Sequence, residues 1–103
     1  MAIAEVSIVP LGTKTPSVSE YLARALKALK EEKNIRYELT SMGTIIEGEL
    51  GDILRAAKNM HQATFGEGVM RVLTTIKIDD RRDKALTMTG KVESVRKKLE
   101  HRA

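Results

Sequence analysis

The sequence lacks cysteine altogether and has few aromatic residues, and each shortage excludes a class of function. Without cysteine the chain has no disulfide, no thiolate metal site and no cysteine nucleophile. RNA-binding domains stack bases on aromatic side chains of their central strands. The aromatic residues here are Tyr21, Tyr37 and Phe65, and none falls on the outward face of a predicted central strand. We therefore predict no nucleic-acid partner.

Long apolar runs are also missing. None approaches the ~20 residues that span a bilayer, and Met1 to Glu5 lack the basic start of a signal peptide. We expect a cytoplasmic protein with no membrane contact.

The residues that are present are typical of a globular protein, with 42% hydrophobic and 31% charged side chains. The 103 residues predict a single domain, with a core over residues 1–80 and a helical extension over residues 81–103. A chain this short buries a small core and often gains stability by oligomerising. The net charge of +4 comes mainly from Lys91 to Arg102, which we interpret as a solvated helix face rather than a nucleic-acid site.

Hydrophobic periodicity predicts alternating strands and helices. In chain order they are a strand over 3–9 ended by Pro10, a helix from Ser17 to Asn34, strands over 36–40 and 44–47, a helix from Gly51 or Asp52 to Phe65, a strand over 69–79 and a helix over about 90–101. Ser17 and Glu20 match a capping box at the start of the first helix. The last helix carries Val92, Val95 and Leu99 on one face, which we expect to pack against the protein.

The element order βαββαβ folds into the ferredoxin-like split βαβ arrangement when both crossovers are right-handed. We therefore predict an α+β fold with an extra C-terminal helix. Its antiparallel sheet has both crossover helices on one face, and its first and third strands lie in the centre.

The other face of this sheet, the open face, mixes apolar and charged side chains. Its apolar members are Ile3, Val9 and Leu73. Such a face rarely stays bare to water, so we expect it to pack against a second copy of the chain. Glu5 on the same face costs free energy when buried unless it is paired. Arg71 or Lys77 on the adjacent strand, or a cationic ligand, would supply the pair.

Alternation leaves two interpretations of Glu47, because Ile45 and Ile46 are both apolar. If Ile46 packs inward, Glu47 points to the open face near Glu5, and two carboxylates on one surface favour a bound cation. In the other register Glu47 faces the helix layer and caps, or forms a salt bridge near, the second helix.

The sequence offers no catalytic set. No serine has a histidine and an acid that the predicted fold would bring together, and His61 is interpreted as a partly buried helix residue because no second metal ligand lies beside it. Gly12, Gly43, Gly66 and Gly68 gather at one edge of the sheet, where they form turns or present amides to a ligand. We predict that the protein is not an enzyme and holds neither metal nor cofactor.

Four stretches of the chain resemble the thiamine-binding protein family. They are AEVSIVPLGT (4–13), SVSEYLARAL (17–26), YELTSMGTIIEGEL (37–50) and RVLTTIKIDDRRDKALTMTGKVESV (71–95). The most specific pieces are Met42-Gly43-Thr44 with Glu47-Gly48-Glu49, and Ile76-Lys77-Ile78-Asp79 with Arg81. The likeness runs nearly end to end, and none of these pieces is a catalytic signature.

The resemblance implies a ferredoxin-like protein that forms dimers and tetramers through its sheet faces. It also implies binding of thiamine or its hydroxymethylpyrimidine part without turnover, with Glu5 or Glu47 facing the positive thiazolium and Ser7 and Thr44 serving the ring nitrogens. The full set of expected ligand-binding residues is Glu5, Ser7, Gly12, Thr13, Gly43, Thr44, Glu47 and Arg71. The alternative is a regulatory or structural interaction module with no small ligand of its own.

Overall fold

The computed structural model describes residues 1–14, 17–66 and 68–102 of the chain. The elements are β1 (Ala2–Leu11), α1 (Ser19–Lys30), β2 (Ile35–Leu39), β3 (Thr44–Gly48), α2 (Leu50–Thr64), β4 (Arg71–Asp80) and α3 (Met88–Arg102). No helix in this described part is both long and apolar enough to cross a membrane.

The strands form an antiparallel sheet in the order β2-β3-β1-β4. β1 and β3 are therefore the central strands, as predicted. The ferredoxin-like α+β fold with an extra C-terminal helix is confirmed. The register is set by pairs such as Val6, which lies opposite Thr44 on β3 and opposite Ile76 on β4.

The core lies between the sheet and the helices α1 and α2. Ala4 and Val6 on β1 point to this side and are buried, as is Ile46 on β3. α2 buries a stripe at helical spacing that includes Ile53 and Met60. The charged and polar residues that alternate with the inward strand positions are thereby directed to the open face.

His61 lies at the edge of this core, half-buried on α2, as predicted. Its Nδ1 is 2.6 Å from Thr74 Oγ1 on β4, and its ring meets the Phe65 ring edge-on with centroids 5.3 Å apart. His61 therefore joins a helix to the sheet, on the side opposite the open face.

β1 is longer than predicted, because Pro10 does not end it. Beyond Val6 the strand pairs with β4 alone. This stretch is an edge on its other side, where a residue without an N–H group is tolerated.

The boundaries of α1 also differ from the prediction. The helix begins at Ser19, and Val18 occupies the N-cap position with no capping hydrogen bond from its side chain, so the capping box predicted at Ser17 is wrong. The helix ends at Lys30 rather than at Asn34. Asn34 instead has a φ of 66° and turns the chain into β2, a conformation that asparagine tolerates better than most residues.

Beyond its first turns, the C-terminal helix α3 projects from this body. Its predicted inward stripe, Val92, Val95 and Leu99, is 51%, 58% and 64% exposed. The prediction that these residues pack against the protein is therefore wrong within a single chain. The molecule is correspondingly elongated, with principal extents of 52 × 31 × 18 Å.

Candidate functional site

Side chains on the open face form rows across the strands, because paired residues in an antiparallel sheet point to the same side. One row runs through Lys77, Glu5, Ile45 and Glu38, on β4, β1, β3 and β2. It places an aliphatic side chain between two carboxylates in the middle of the sheet. Neighbouring strands are about 4.8 Å apart, so the backbones that carry the two carboxylates are about 10 Å apart.

The first turns of α3 lie beside this row and turn the open face into a groove. The groove has a volume of about 640 Å³, which falls within the usual range for small-molecule sites. Its floor includes Ile3, Glu5, Glu38 and Ile45, and its wall includes Met88 and Val92.

Carboxylates outnumber cations in this groove. Lys91 on α3 donates to Asp79, with 2.6 Å between Nζ and Oδ2. Lys77 Nζ lies 4.0 Å from Glu5 Oε1, at the limit of an ion pair. Glu38 is exposed, and the described residues give it no ion-pair partner. The floor of the groove therefore combines uncompensated negative charge with the apolar side chains of Ile3 and Ile45, an arrangement that favours a cationic ligand with apolar parts.

Glu47 lies on the open face, since Ile46 packs into the core and Glu47 pairs with Ile3. The first interpretation of the sequence is therefore right about its direction. Glu47 is nevertheless only 4% exposed, and its Oε2 accepts a hydrogen bond from the Met88 N–H at 2.9 Å. It therefore accepts from the start of α3 on the open face, and the second interpretation, which placed Glu47 on the helix layer near α2, is wrong.

The chain around the start of α3 is held at further points. Leu86, just before the helix, is buried. Thr87 caps the helix: its hydroxyl accepts from the Gly90 N–H at 2.9 Å and its carbonyl accepts from the Lys91 N–H at 3.0 Å. These contacts place the first turns of α3 beside the groove.

The connection from β4 to α3 is held by local ion pairs outside the groove. Arg81 donates to both carboxylate oxygens of Asp83, at 2.5 and 2.8 Å. These hydrogen bonds hold the pKa of the Asp83 carboxyl below its usual range. Arg82 donates to Asp80 at 2.9 Å, and this bond raises the pKa of Arg82. The pairs are exposed, so they contribute little to stability.

Some of the predicted ligand residues lie close together on one face. Ser7 follows Glu5 on the open face of β1, beside Thr75 of β4. Gly43 lies against the same strand, where a Cβ added to it would be 3.3 Å from Glu5 Cγ. Thr44 does not join them, because it pairs with the inward-facing Val6 and is buried on the helix side.

Gly12, Thr13 and Arg71 lie at the far end of β1. Arg71 pairs with Leu11, six residues along the strand from Glu5, which at about 3.3 Å per residue is roughly 20 Å. Within one chain these three residues do not share the groove with Glu5. Their contact with a ligand stays a prediction.

Sequence reasoning missed the residues that α3 brings to the groove, which are Met88, Lys91 and Val92. Their spacing of three and four places them on one helix face, and this was the available signal. No pattern in the sequence showed that this face borders the open sheet. Glu38 on β2 was also not recognised as part of a site.

The sequence model of the thiamine-binding protein family matches residues 4–96 of the chain. The chain belongs to the thiamine-binding protein family. The match runs from β1 into α3, so it includes both the sheet and the helix that form the groove. Membership in this family supports a role in binding a small molecule.

Members of the family from distant organisms are similar over nearly their whole length. The chain is 50% identical over 103 residues to the UPF0045 protein YqgV of Bacillus subtilis, covering 97% of this chain and 99% of that one. It is 47% identical over 100 residues to a UPF0045 protein of Methanothermobacter thermautotrophicus, covering 96% and 100%.

Solved structures share the fold. A hypothetical protein of Methanocaldococcus jannaschii superposes with a TM-score of 0.83 at 40% identity, over 91% of this chain and 94% of that one. A Thermotoga maritima protein provisionally assigned to thiamine biosynthesis or salvage superposes with a TM-score of 0.73 at 20% identity, over 91% and 97%. At that lower identity the likeness shows the fold alone.

Proposed function

We propose that this family member binds thiamine, or its hydroxymethylpyrimidine part, in the groove between the open face and α3. The observation that carries the proposal is the row in which Glu5 and Glu38 flank Ile45. Thiamine has the matching parts, a positively charged thiazolium joined to a flat aminopyrimidine. The family match supports the same class of ligand.

Recognition in this groove combines charge with apolar contact. Glu5 or Glu38 faces the thiazolium, because the negative charge of a carboxylate attracts the positive charge of the ring. Ile45 and Val92 offer an aliphatic surface to the rings. Ser7, one row away on the same face, supplies a hydroxyl for a ring nitrogen.

Binding without turnover is part of the proposal. The described residues of the groove lining include carboxylates, lysines and Thr40, but no histidine. Thr40 Oγ1 donates to the Gly43 carbonyl at 2.8 Å, and Lys91 is bound to Asp79. A nucleophile needs an adjacent base to activate it, and these contacts do not supply that pair.

We further propose that the protein works in the cytoplasm as a homodimer or homotetramer. Val9 and Leu73 are paired on the open face, and both are exposed. The stripe on α3 adds a second exposed apolar surface. Apolar surface of this kind marks protein interfaces, and light scattering of the intact protein measures the assembly directly.

Calorimetric titration with thiamine, its phosphates and hydroxymethylpyrimidine tests the ligand. Glu5→Gln keeps the shape and removes the charge, so it should weaken thiamine binding by about three- to tenfold. Hydroxymethylpyrimidine lacks the thiazolium, and its binding should not change. Higher salt should shrink the difference between the parent and the variant. Glu93→Gln, on an exposed part of α3, is the matched control.

Two results would contradict the proposal. A Glu5→Gln protein that loses thiamine and hydroxymethylpyrimidine equally would show that Glu5 does not recognise the cation. If none of these ligands binds the parent protein, the small-molecule proposal falls. The alternative, an interaction module, would then be favoured by the exposed stripe on α3.

A further inference from the structure

We infer that Glu47 is a positioning residue for the groove: it fastens the first turn of α3 over the sheet and does not itself contact the ligand. The attachment of α3 is measured in the unliganded protein, whereas the effect on the ligand rests on the proposed function.

Burial gives Glu47 a need for a hydrogen-bond donor. Among residues 1–14, 17–66 and 68–100, it is the one charged side chain that is buried. A carboxylate taken out of water costs free energy unless a donor replaces the water. The Met88 N–H, 2.9 Å from Oε2, is that donor.

Met88 has the complementary need for an acceptor. As the first residue of α3, its N–H has no acceptor within the helix. The Thr87 hydroxyl and carbonyl already serve Gly90 and Lys91. The Glu47 carboxylate satisfies this N–H and places negative charge at the positive end of the helix dipole.

The position of α3 matters to the groove, because only its first two turns line it. The lining residues on α3 are Met88, Lys91 and Val92. Farther along, Val95 and Leu99 are exposed, so the helix is held from its N-terminal end. The pair between Lys91 and Asp79 is itself exposed, and exposed pairs hold weakly. Glu47 is therefore the buried polar anchor of the groove wall, beside the buried apolar side chain of Leu86.

Two substitutions separate positioning from ligand contact. Glu47→Gln removes the charge but keeps an oxygen that accepts from Met88, whereas Glu47→Leu removes both. If Glu47 bound the thiazolium directly, the two variants would lose similar thiamine affinity. If Glu47 positions α3, the Glu47→Gln variant should keep α3 in place and retain thiamine affinity, whereas the Glu47→Leu variant should not.

The measurements are hydrogen exchange and the amide proton shift of Met88 in the unliganded protein, followed by thiamine titration. In the Glu47→Leu variant, the hydrogen-exchange rate of the Met88 amide should rise by about tenfold or more, which corresponds to about 1.4 kcal/mol. Its amide proton should move upfield, and thiamine should bind about tenfold more weakly. With Gln, exchange and affinity should stay within about threefold of the parent. Glu93→Leu, an exposed acidic residue of α3, should change neither.

A second pair of variants breaks the same contact from the other side. Met88→Pro removes the N–H donor, and proline is tolerated at the first position of a helix. Met88→Leu keeps the donor while changing the side chain that lines the groove. The Pro variant should weaken thiamine binding more than the Leu variant, and it should loosen the exchange of the amides that follow in α3.

Three results would overturn the inference. Protection of the Met88 amide in the Glu47→Leu variant would show that other contacts hold α3. The Glu47→Gln and Glu47→Leu variants could lose equal thiamine affinity while the Met88 amide stays protected in the Gln variant. That result would show that Glu47 contacts the ligand directly. If the Glu47→Leu variant loses protection of the Met88 amide but keeps full thiamine affinity, the groove wall formed by α3 is not needed for ligand binding. If the parent does not bind thiamine, the proposed function fails, and Met88 exchange alone decides whether Glu47 fastens α3.

Discussion

At Gly43 the structure leaves little room for a side chain. An added Cβ would lie 3.1 Å from the Val6 carbonyl oxygen and 3.3 Å from Glu5 Cγ, so the neighbouring strand would have to shift by a few tenths of an ångström. Gly43→Ala should therefore strain the hairpin and displace the Glu5 side chain. We expect the free energy of unfolding to fall by about 1–3 kcal/mol and thiamine binding to weaken, as measured by denaturant unfolding and calorimetry.

Gly51→Ala is the matched control for this substitution. In the first turn of α2, a Cβ added to Gly51 meets nothing within 4 Å. Alanine should raise the free energy of unfolding there by about 0.5–1 kcal/mol, because it restricts the unfolded chain and favours the helix. Equal effects at the two glycines would show that the close approach at Gly43 carries no cost.

Two buried threonines differ in their hydrogen bonding. Thr64 Oγ1 donates to the Met60 carbonyl at 2.9 Å, whereas Thr44 Oγ1 is buried with no partner in the described part of the chain. Thr44→Val removes an unpaired hydroxyl and should raise the free energy of unfolding by about 1 kcal/mol. Thr64→Val breaks a bond and should lower it by about 0.5–1 kcal/mol. Thermal and denaturant unfolding of both variants checks the sign, and the reverse order would refute the argument.

At the scale of the element, periodicity predicted which residues share a face but not what covers that face. Ala4 and Val6 point inward and Glu5 outward, as alternation required. Val92 and Val95 share a face of α3, yet neither is covered within the chain. Whether the apolar face of a helix is buried depends on where the whole helix lies in the fold. The spacing of apolar residues in the sequence carries no information about that position.

The same limit explains what could be predicted of the candidate site. The open face and Glu5 followed from strand alternation. The direction of Glu47 did not, because the neighbouring isoleucines allowed two registers, and pairing with Ile3 decides between them. Its role needed the path of residues 81–87, which brings Met88 back over the sheet. This contact spans 41 residues of sequence separation.

The start of α2 has the geometry of an N-cap without a capping side chain. Glu49 has φ −73° and ψ 147° and makes no capping hydrogen bond, while its carbonyl accepts from the Ile53 N–H at 3.0 Å. Glu49→Ser would place a hydroxyl near the Asp52 N–H and complete a capping box with Asp52. The free energy of unfolding should rise by about 0.5–1 kcal/mol, measured by urea titration.

Glu49→Ala is the control, since it removes the same carboxylate without adding a cap. The lost ion pair with the Met1 amino group is 3.8 Å long and exposed, so its removal should cost little. A Ser variant no more stable than the Ala variant would show that the hydroxyl does not cap α2.

At the scale of the whole molecule, a single chain leaves apolar surface on both sides of β4. Leu73 is 58% exposed on the open face, and Ile76 and Ile78 remain partly exposed on the helix side. β4 is also an edge strand of ten residues, with one side free to pair with another strand. α3 adds Val95 and Leu99 beyond the body of the protein. Each of these surfaces is explained if a second copy covers it.

We therefore predict that the protein assembles into a homo-oligomer, which light scattering at micromolar concentration measures. The parent should have a mass well above the 11.4 kDa of one chain. Leu73→Lys and Leu99→Lys each place a charge where apolar surface becomes desolvated, so both should weaken assembly. Met42→Lys changes a side chain that is 80% exposed on the β2–β3 hairpin and should leave the mass unchanged. A measured mass of 11.4 kDa for the parent protein would refute the prediction that a second copy covers either surface. A loss of mass in one Lys variant alone would assign the interface to that surface.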